Sequence, residues 1–236
     1  MTNRSSPVGA CANEANSGRT FYFRKGKRVF DLVLALFGIL IFGLPIACIG
    51  FIVLLVHGRP MLFRHQRVGI GGRSFQICKL RTMENGLTPG STVTVAGDKR
   101  ITRTGRWLRR LKLDELPQLF NVLKGEMSFV GPRPDVPGYA DRQQGEAAQI
   151  LQLRPGITGP ATLAFRNEEE LLAQAKDPQR FNDEVIFPEK VRLNLEYLKN
   201  MSLLGDIGCI LKTILPARPK NRENLSPKQS IPVSAV

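Results

Sequence analysis

The feature that most constrains this chain is an apolar segment from Leu32 to Val56, which contains no charged residue over 25 positions. A helix needs roughly 20 apolar residues to enter the hydrocarbon core of a bilayer, so this segment is long enough to do so. The alternative is a buried helix of a soluble domain, but such helices rarely stay apolar on every face over this length. The segment therefore predicts a membrane-inserted helix.

Basic residues flank this segment on both sides: Lys27 and Arg28 come before it, and Arg59 comes after it. The positive-inside rule cannot place both flanks on the cytoplasmic side if the helix crosses the membrane once. Pro45 lies close to the middle, where proline removes one helical hydrogen bond and favours a kink. We therefore expect residues 21–58 to form a re-entrant helix, which enters the membrane, bends at Pro45 and returns to the same side.

The net charge of the chain predicts an anionic binding partner but does not indicate which kind. The chain has 34 Lys and Arg against 20 Asp and Glu, a formal net charge of +14. This excess predicts an anionic partner, which could be nucleic acid, an anionic lipid surface or a phosphorylated substrate. The four cysteines form neither a CxxC motif nor a zinc-ligand spacing. They favour reduced thiols and a cytoplasmic setting.

The chain divides into four segments by composition. With 236 residues it can bury one substantial core, and we assign that core to a catalytic domain over residues 59–215. Residues 1–20 are polar and lack the apolar centre of a signal peptide, so we expect them to be disordered. The Pro-, Lys- and Ser-rich residues 216–236 are expected to form a disordered tail.

The pattern within the catalytic domain predicts an α+β fold, mostly helical with one small β-hairpin, and with interfacial amphipathic helices beside the membrane-inserted one. Two apolar-alternating runs joined by a glycine-rich turn predict the hairpin at residues 60–83. Helical spacing of apolar residues predicts the remaining elements. These are a basic helix at 101–113, a Gln-rich helix at 139–153, a solvated acidic helix at 167–175, and two amphipathic helices at 185–215 separated near Ser202 and Gly205.

Two adjacent carboxylates, Asp114 and Glu115, stand at the predicted start of a short helix that ends at Gly125. Capping of that helix is the simplest explanation of the pair. However, basic residues lie on both sides in the sequence, and a helix start with arginines nearby is suited to binding phosphate. Such a field would lower the pKa of Asp114 and keep it ionised as a nucleophile, while Glu115 could hold a divalent metal. The pattern therefore indicates phosphoryl transfer at a membrane surface.

Four stretches of the chain resemble, in the same order, those of the bacterial sugar transferases of the monotopic phosphoglycosyl transferase family. They are KRVFDLVLALFG, FRHQRVG followed by FQICKLRTM, RRLKLDELPQLFNVLKGEMSFVGPRP and LRPGITGPA. The resemblance covers residues 25–215, and the third stretch is the most specific. It implies an enzyme that transfers a phospho-sugar from a UDP-sugar to undecaprenyl phosphate and releases UMP. It also implies a covalent intermediate on an aspartate, assisted by Mg²⁺.

Carried over to this sequence, the resemblance makes Asp114 the nucleophile and Glu115 its partner, the two together holding Mg²⁺. It also gives phosphate-binding roles to Arg133, Arg109 and Lys79. It implies a re-entrant helix broken near Pro45, with Lys27, Arg28 and Asp31 at its anchoring start. The implied location is the cytoplasmic face of the bacterial inner membrane, in contact with its lipids. The resemblance does not decide between a monomer and a homodimer. Asn194 departs from some members of the family, which have aspartate at that position. The sequence of residues 159–162 also differs from that of other members.

Two other functions fit the charge and the apolar segment. One is a membrane-anchored nucleic-acid-binding protein, but the sequence has no helix-turn-helix, zinc or RNA-binding pattern, so we expect no nucleic-acid partner. The other is a structural tether in which the acidic pair only caps a helix. The sequence does not indicate which sugar is transferred or which glycan is made.

Overall fold

The structure of the protein is a computed structural model that describes residues 22–84, 98 and 100–215, without the side chains of Phe23 and Arg24. The predictions of disorder for residues 1–20 and 216–236 lie outside the described residues. In the described part the fold is mostly helical, with two two-stranded sheets. This confirms the predicted α+β class.

The apolar segment forms helix α1, Lys27–His57, whose 31 residues make it about 46 Å long. It is one continuous helix with Pro45 inside it, so any bend at the proline lies within a single element. Among the described residues, α1 alone is long and apolar enough to cross a membrane. Its side chains are largely exposed, with Leu40 at 82% and Leu44 at 75%. In the core helix of a soluble protein, by contrast, the apolar side chains would be mostly buried.

Both ends of α1 pack against the rest of the protein. Near its start, Ala35 is fully buried in a cluster with four residues that follow α1 in the chain, namely Phe75, Ile77, Val122 and Met127. Near its end, a Cβ atom on Gly50 would lie 3.3 Å from the Met61 sulfur. Arg81 donates hydrogen bonds to the carbonyl oxygens of His57 (3.2 Å) and Arg59 (3.4 Å). The part of the chain that follows α1 therefore holds the helix at both ends.

The predicted hairpin is confirmed. Strand β1, Leu62–Val68, pairs antiparallel with β2, Ser74–Leu80, from Leu62 opposite Leu80 to Val68 opposite Ser74. The turn between them contains Gly71 and Gly72 with φ of 63° and 75°, a conformation that glycine adopts without steric cost. Phe75 and Ile77 of β2 pack against Val122 of α3, and Lys79 follows them on the same side of the strand.

Most of the other predicted helices are confirmed, one is absent, and two short helices, Pro160–Ala164 and Pro178–Phe181, were not predicted. Helices were correctly predicted around 103–110, 118–124, 168–174 and 187–214, the last being two helices that separate at Met201 and Ser202. The structure contains the following: α2 Arg103–Arg110, α3 Gln118–Lys124, α4 Pro160–Ala164, α5 Glu168–Gln174, α6 Pro178–Phe181, α7 Phe187–Asn200 and α8 Leu203–Ile214.

The predicted helix at residues 139–153 is wrong. Two short 3₁₀ segments, Ala140–Arg142 and Ala147–Gln152, take its place. Gly145 lies between them with φ of 60°, a left-handed conformation that interrupts a right-handed helix. The spacing of apolar residues in this Gln-rich stretch matched that of a helix, and it did not indicate a turn at this glycine.

A short parallel pair was not predicted. Strand β3, Ser128–Val130, pairs in parallel with β4, Gly156–Thr158. The chains approach so closely that a Cβ atom on Gly156 would lie 2.2 Å from the Gly131 backbone nitrogen. Both glycines are therefore needed for this contact. The pair fixes the start of the Gly-Pro-Arg-Pro turn that carries Arg133.

Candidate active site

The acidic pair lies on a 3₁₀ turn, Leu113–Glu115, immediately before α3, and not inside the first turn of that helix as predicted. Lys112 enters this turn with φ of 58° and ψ of 19°, in the left-handed region. In the described residues it is the one non-glycine residue with positive φ. This conformation costs about 1–2 kcal/mol and is commonest where function requires it.

Glu115 is held by two cations that come from different elements. Its Oε1 atom accepts hydrogen bonds from Lys79 Nζ at 2.9 Å and from Arg133 Nη2 at 2.8 Å. Lys79 lies near the end of β2, and Arg133 lies in the turn after β3. The structure thus brings together three of the residues selected from the sequence, although they are up to 54 positions apart.

These contacts keep Glu115 ionised. Burial alone would raise the pKa of Glu115, but the charges of Arg133 and Lys79 outweigh it and lower that pKa far below its usual value. Conversely, the negative charge of Glu115 raises the pKa of Arg133. Burial and then the charge of Arg133 lower the pKa of Lys79, and Glu115 opposes this shift. With Lys79 protonated, the three groups carry one excess positive charge, which can attract a phosphate group.

Asp114 has the opposite environment. It is 6% exposed, and its Oδ1 atom has no hydrogen-bond partner. Burial, followed by the charge of Glu115, raises the pKa of Asp114, and Lys79 and Arg109 offset only part of the increase. The expectation of a lowered pKa is therefore wrong, because the nearest cations bind Glu115 instead. The two carboxylates are unequal: Glu115 binds two cations through Oε1, whereas Asp114 has a buried oxygen without a hydrogen-bond partner.

Arg109 lies beside the acidic pair without touching it. Its Nε atom donates to Thr82 Oγ1 at 3.1 Å, and its Nη1 atom lies 3.5 Å from Glu169 Oε1 on α5. Its charge nevertheless acts on Asp114. The neighbouring Glu168 pairs with Lys190 at 2.6 Å. The acidic helix is therefore not simply solvated, as the sequence had indicated, because two of its glutamates reach basic residues of the site.

Sequence reasoning missed a second charged group next to Arg133. Asp135 follows it by two positions, and burial raises the pKa of Asp135 to about 6, although Lys190 and Arg67 oppose the shift. Arg67 Nη1 donates to Pro134 O at 3.4 Å, so this arginine supports the turn that carries Arg133. Asp135 directly follows the Gly-Pro-Arg-Pro motif. This position was the feature of the sequence from which Asp135 could have been selected.

The residues predicted to anchor the start of α1 all contact protein. Lys27 Nζ donates to Asp206 Oδ2 on α8. Arg28 donates to two carbonyl oxygens at the end of α3, those of Val122 (2.6 Å) and Leu123 (2.8 Å).

Asp31 completes this anchor. Its Oδ1 atom accepts from Ser128 Oγ and from the Phe129 backbone nitrogen, both at 3.0 Å. The start of α1 is thereby attached to α3, β3 and α8 at once. Sequence reasoning selected the three α1 residues but none of these partners.

The acidic pair could hold a magnesium ion only together with a substrate. In the described part of the chain no three His, Cys, Asp or Glu residues are grouped as metal ligands. Mg²⁺ is commonly held by one or two carboxylates and completed by phosphate oxygens and water. The free Oδ1 atom of Asp114 fits that arrangement, whereas Oε1 of Glu115 is already occupied by two cations.

The buried acidic pair, its cations and the exposed apolar helix together define a membrane-associated enzyme with a site suited to phosphate chemistry. Residues 22–217 match the family model described as bacterial sugar transferase. The chain therefore belongs to the bacterial sugar transferase family, and it is a sugar-phosphate transferase.

Individual relatives agree with this assignment. The chain is 37% identical over 195 residues to a UDP-glucose:undecaprenyl-phosphate glucose-1-phosphate transferase of Caulobacter vibrioides, covering 80% of this chain and 68% of that protein. It is 35% identical over 192 residues to a UDP-N-acetylgalactosamine-undecaprenyl-phosphate N-acetylgalactosaminephosphotransferase of Aeromonas hydrophila, covering 80% and 42%. It is 33% identical over 204 residues to the exopolysaccharide production protein ExoY of Rhizobium meliloti, covering 80% and 83%.

Proposed function

We propose that this protein transfers a phospho-sugar from a UDP-sugar to undecaprenyl phosphate, releases UMP, and so begins the assembly of a lipid-linked glycan. The names of the Caulobacter and Aeromonas relatives support the donor and acceptor classes. The observation that carries the proposal is the inequality of the acidic pair: Asp114 has a buried oxygen without a hydrogen-bond partner, while Oε1 of Glu115 binds both Lys79 and Arg133.

In the first step, Asp114 attacks the phosphorus that bears the sugar. A bond forms between its carboxylate oxygen and that phosphorus, the bond from phosphorus to the bridging oxygen breaks, and UMP leaves with the bond electrons. Burial weakens the solvation of the attacking carboxylate, and a poorly solvated anion is a stronger nucleophile. Lys79 and Arg133 are placed to bind the phosphate oxygens, and Arg109 supplies a further positive charge nearby.

In the second step, a phosphate oxygen of the lipid acceptor attacks the same phosphorus. The bond to Asp114 breaks, the sugar diphosphate stays on the lipid, and the carboxylate is regenerated. Glu115 keeps the two cations in place through both steps, because it remains ionised throughout. Mg²⁺ held by the Asp114–Glu115 pair would neutralise charge on the phosphate groups of the donor.

The arrangement of α1 supports a re-entrant helix in the cytoplasmic leaflet. A helix that crossed the bilayer would carry its far end away from a domain on the near side. Here the start of α1 is bonded to α3 through Arg28, and its end is bonded to Arg81 at the end of β2. Residues 59–215 would then form one catalytic domain on the cytoplasmic face.

Exposed apolar side chains outside α1 support further contact with lipid. Trp107 and Leu111 are 56% and 50% exposed at the end of α2, and Leu204 is 81% exposed on α8. Four basic residues surround the first two, namely Arg103, Arg106, Arg110 and Lys112. Aromatic and basic residues together are typical of the interface between hydrocarbon and anionic headgroups.

The reaction is tested by supplying the detergent-solubilised protein with polyprenyl phosphate, Mg²⁺ and each of a panel of UDP-sugars. We expect UMP release with at least one UDP-sugar and no GMP release from the same sugar linked to GDP. No UMP from any donor, together with salt-sensitive retention of duplex DNA, would instead support a nucleic-acid-binding protein. Neither UMP nor retention would support a structural tether.

The topology is tested by labelling single cysteines in membrane vesicles, in a background in which the native cysteines are serine. Lys25→Cys and Arg59→Cys replace exposed residues just outside the two ends of α1. We expect a membrane-impermeant maleimide to label both positions from the cytoplasmic side only. Labelling of the two positions from opposite sides of the membrane would exclude the re-entrant arrangement.

A further inference from the structure

Asn121 is a buried amide that uses its hydrogen-bonding groups on three partners. It lies on α3 and is 1% exposed. Its Oδ1 atom accepts from the Cys78 backbone nitrogen at 3.1 Å, and its Nδ2 atom donates to the Gln76 carbonyl oxygen at 2.8 Å. The same Nδ2 atom donates to Glu126 Oε2 at 2.7 Å. A buried amide bonded this completely holds its neighbours in one arrangement.

The two backbone partners belong to the free edge of β2. Within the described residues, strand β2 pairs with β1 on one side only, so alternate residues on its other side present backbone groups without a strand partner there. Gln76 and Cys78 are two positions apart and point their carbonyl and N–H groups to that edge. The side-chain amide of Asn121 therefore bonds to β2 as the peptide group of a third strand would.

This bond lies between two residues of the active site. Lys79 directly follows Cys78 in β2, and Glu115 ends the 3₁₀ turn that leads into α3. The two meet at 2.9 Å, although they belong to separate elements. The Asn121 amide fixes how far α3 can shift along β2, and it therefore fixes where the Lys79 ammonium lies relative to Glu115.

We propose that Asn121 is a positioning residue for the transfer reaction and acts through Lys79. The proposal rests on the proposed function, because its main measure is UMP release. Asn121 touches neither carboxylate of the pair in this structure, and its effect on the reaction passes through the strand that carries Lys79. Glu126, by accepting from the same Nδ2 atom, keeps the amide turned toward that strand.

A double-mutant cycle tests this directly. Asn121→Leu keeps the size of the side chain and removes every polar contact. We expect it to lower kcat/KM by about 10- to 100-fold, as small displacements of catalytic groups do. In a protein that already carries Lys79→Met, the same change should lower kcat/KM by no more than about threefold, since residues that act through one another are not additive. Equal factors in the two backgrounds would overturn the proposal.

Hydrogen exchange supplies a measure that does not depend on activity. The Cys78 amide should exchange faster in Asn121→Leu than in the unmodified protein, because its acceptor is gone. Asn121→Ser has a side chain too short to reach β2, so it should show the same changes in kcat/KM and in exchange at Cys78. It replaces the leucine variant if that variant does not fold. Unchanged exchange at Cys78 would also overturn the proposal.

Tyr197→Phe is the matched control. It removes the buried hydrogen bonds of the tyrosine hydroxyl, to Asp206 Oδ1 at 2.6 Å and to the Val130 carbonyl oxygen at 3.4 Å, in a different part of the fold. Its effect on kcat/KM should be small and the same with or without Lys79→Met. If the unmodified protein releases no UMP, the proposed function is rejected. Exchange at Cys78 would then still decide whether the amide holds the strand.

Discussion

Replacing Asp114 with asparagine is expected to stop the reaction, lowering kcat by about 10⁴-fold or more, as loss of a nucleophile does. The amide has nearly the shape of the carboxylate, but it cannot form the bond to phosphorus. The measurement is UMP release in the first turnover, where the covalent intermediate would form. Unchanged release in this variant would exclude Asp114 as the nucleophile.

The same substitution should not harm the fold. Because burial raises the pKa of Asp114, its ionised form is disfavoured in the folded protein, and stability falls as the pH rises through that pKa. Asparagine does not have this loss. The melting temperature of Asp114→Asn should therefore equal or exceed that of the unmodified protein at pH 8, and the difference should vanish at low pH. Glu170→Gln, at an exposed glutamate, is the control and should change neither property.

The second large effect concerns stability. Lys27→Met is expected to lower the free energy of unfolding by about 3 kcal/mol, because removing one partner of a buried pair leaves an uncompensated charge. That charge is on Asp206, which is 0% exposed. The hydroxyls of Tyr22 and Tyr197 would still bond to it, which limits the loss. The melting temperature in detergent should fall by about 6–12 °C.

A nearby lysine provides the comparison. Lys25 lies two positions earlier and is exposed, so Lys25→Met should change the melting temperature by less than about 2 °C. Adding Asp206→Asn to Lys27→Met should recover part of the lost stability, because it removes the unpaired charge. Equal losses from the two lysine substitutions would show that the buried pair does not stabilise the attachment of α1.

Much of the fold could be predicted because its signals are local. The run of uncharged residues predicted α1, and the alternation of apolar residues around a glycine-rich turn predicted the hairpin. The helical spacing of apolar residues predicted most of the other helices. The pair of β3 and β4 could not be predicted in this way. It joins residues 28 positions apart, and it depends on the close approach of Gly131 and Gly156, which no local pattern contains.

The members of the candidate site were predictable, but their electrostatics were not. Glu115, Lys79 and Arg133 were selected from motifs, and they meet in the structure. The pKa of Asp114 was predicted in the wrong direction, because sequence shows which charges are near but not which carboxylate they bind. Asn121 was not selected, because its role depends on an unpaired strand edge.

The bonds at the start of α1 bear on how this protein can be handled outside a membrane. Arg28 satisfies carbonyl groups at the end of α3, and Asp31 binds the backbone at β3. A shortened chain that begins after α1 would lose those bonds and expose the apolar cluster around Val122. A water-soluble variant is better sought by keeping α1 and replacing only its outward residues, such as Leu40 and Leu44, with polar ones.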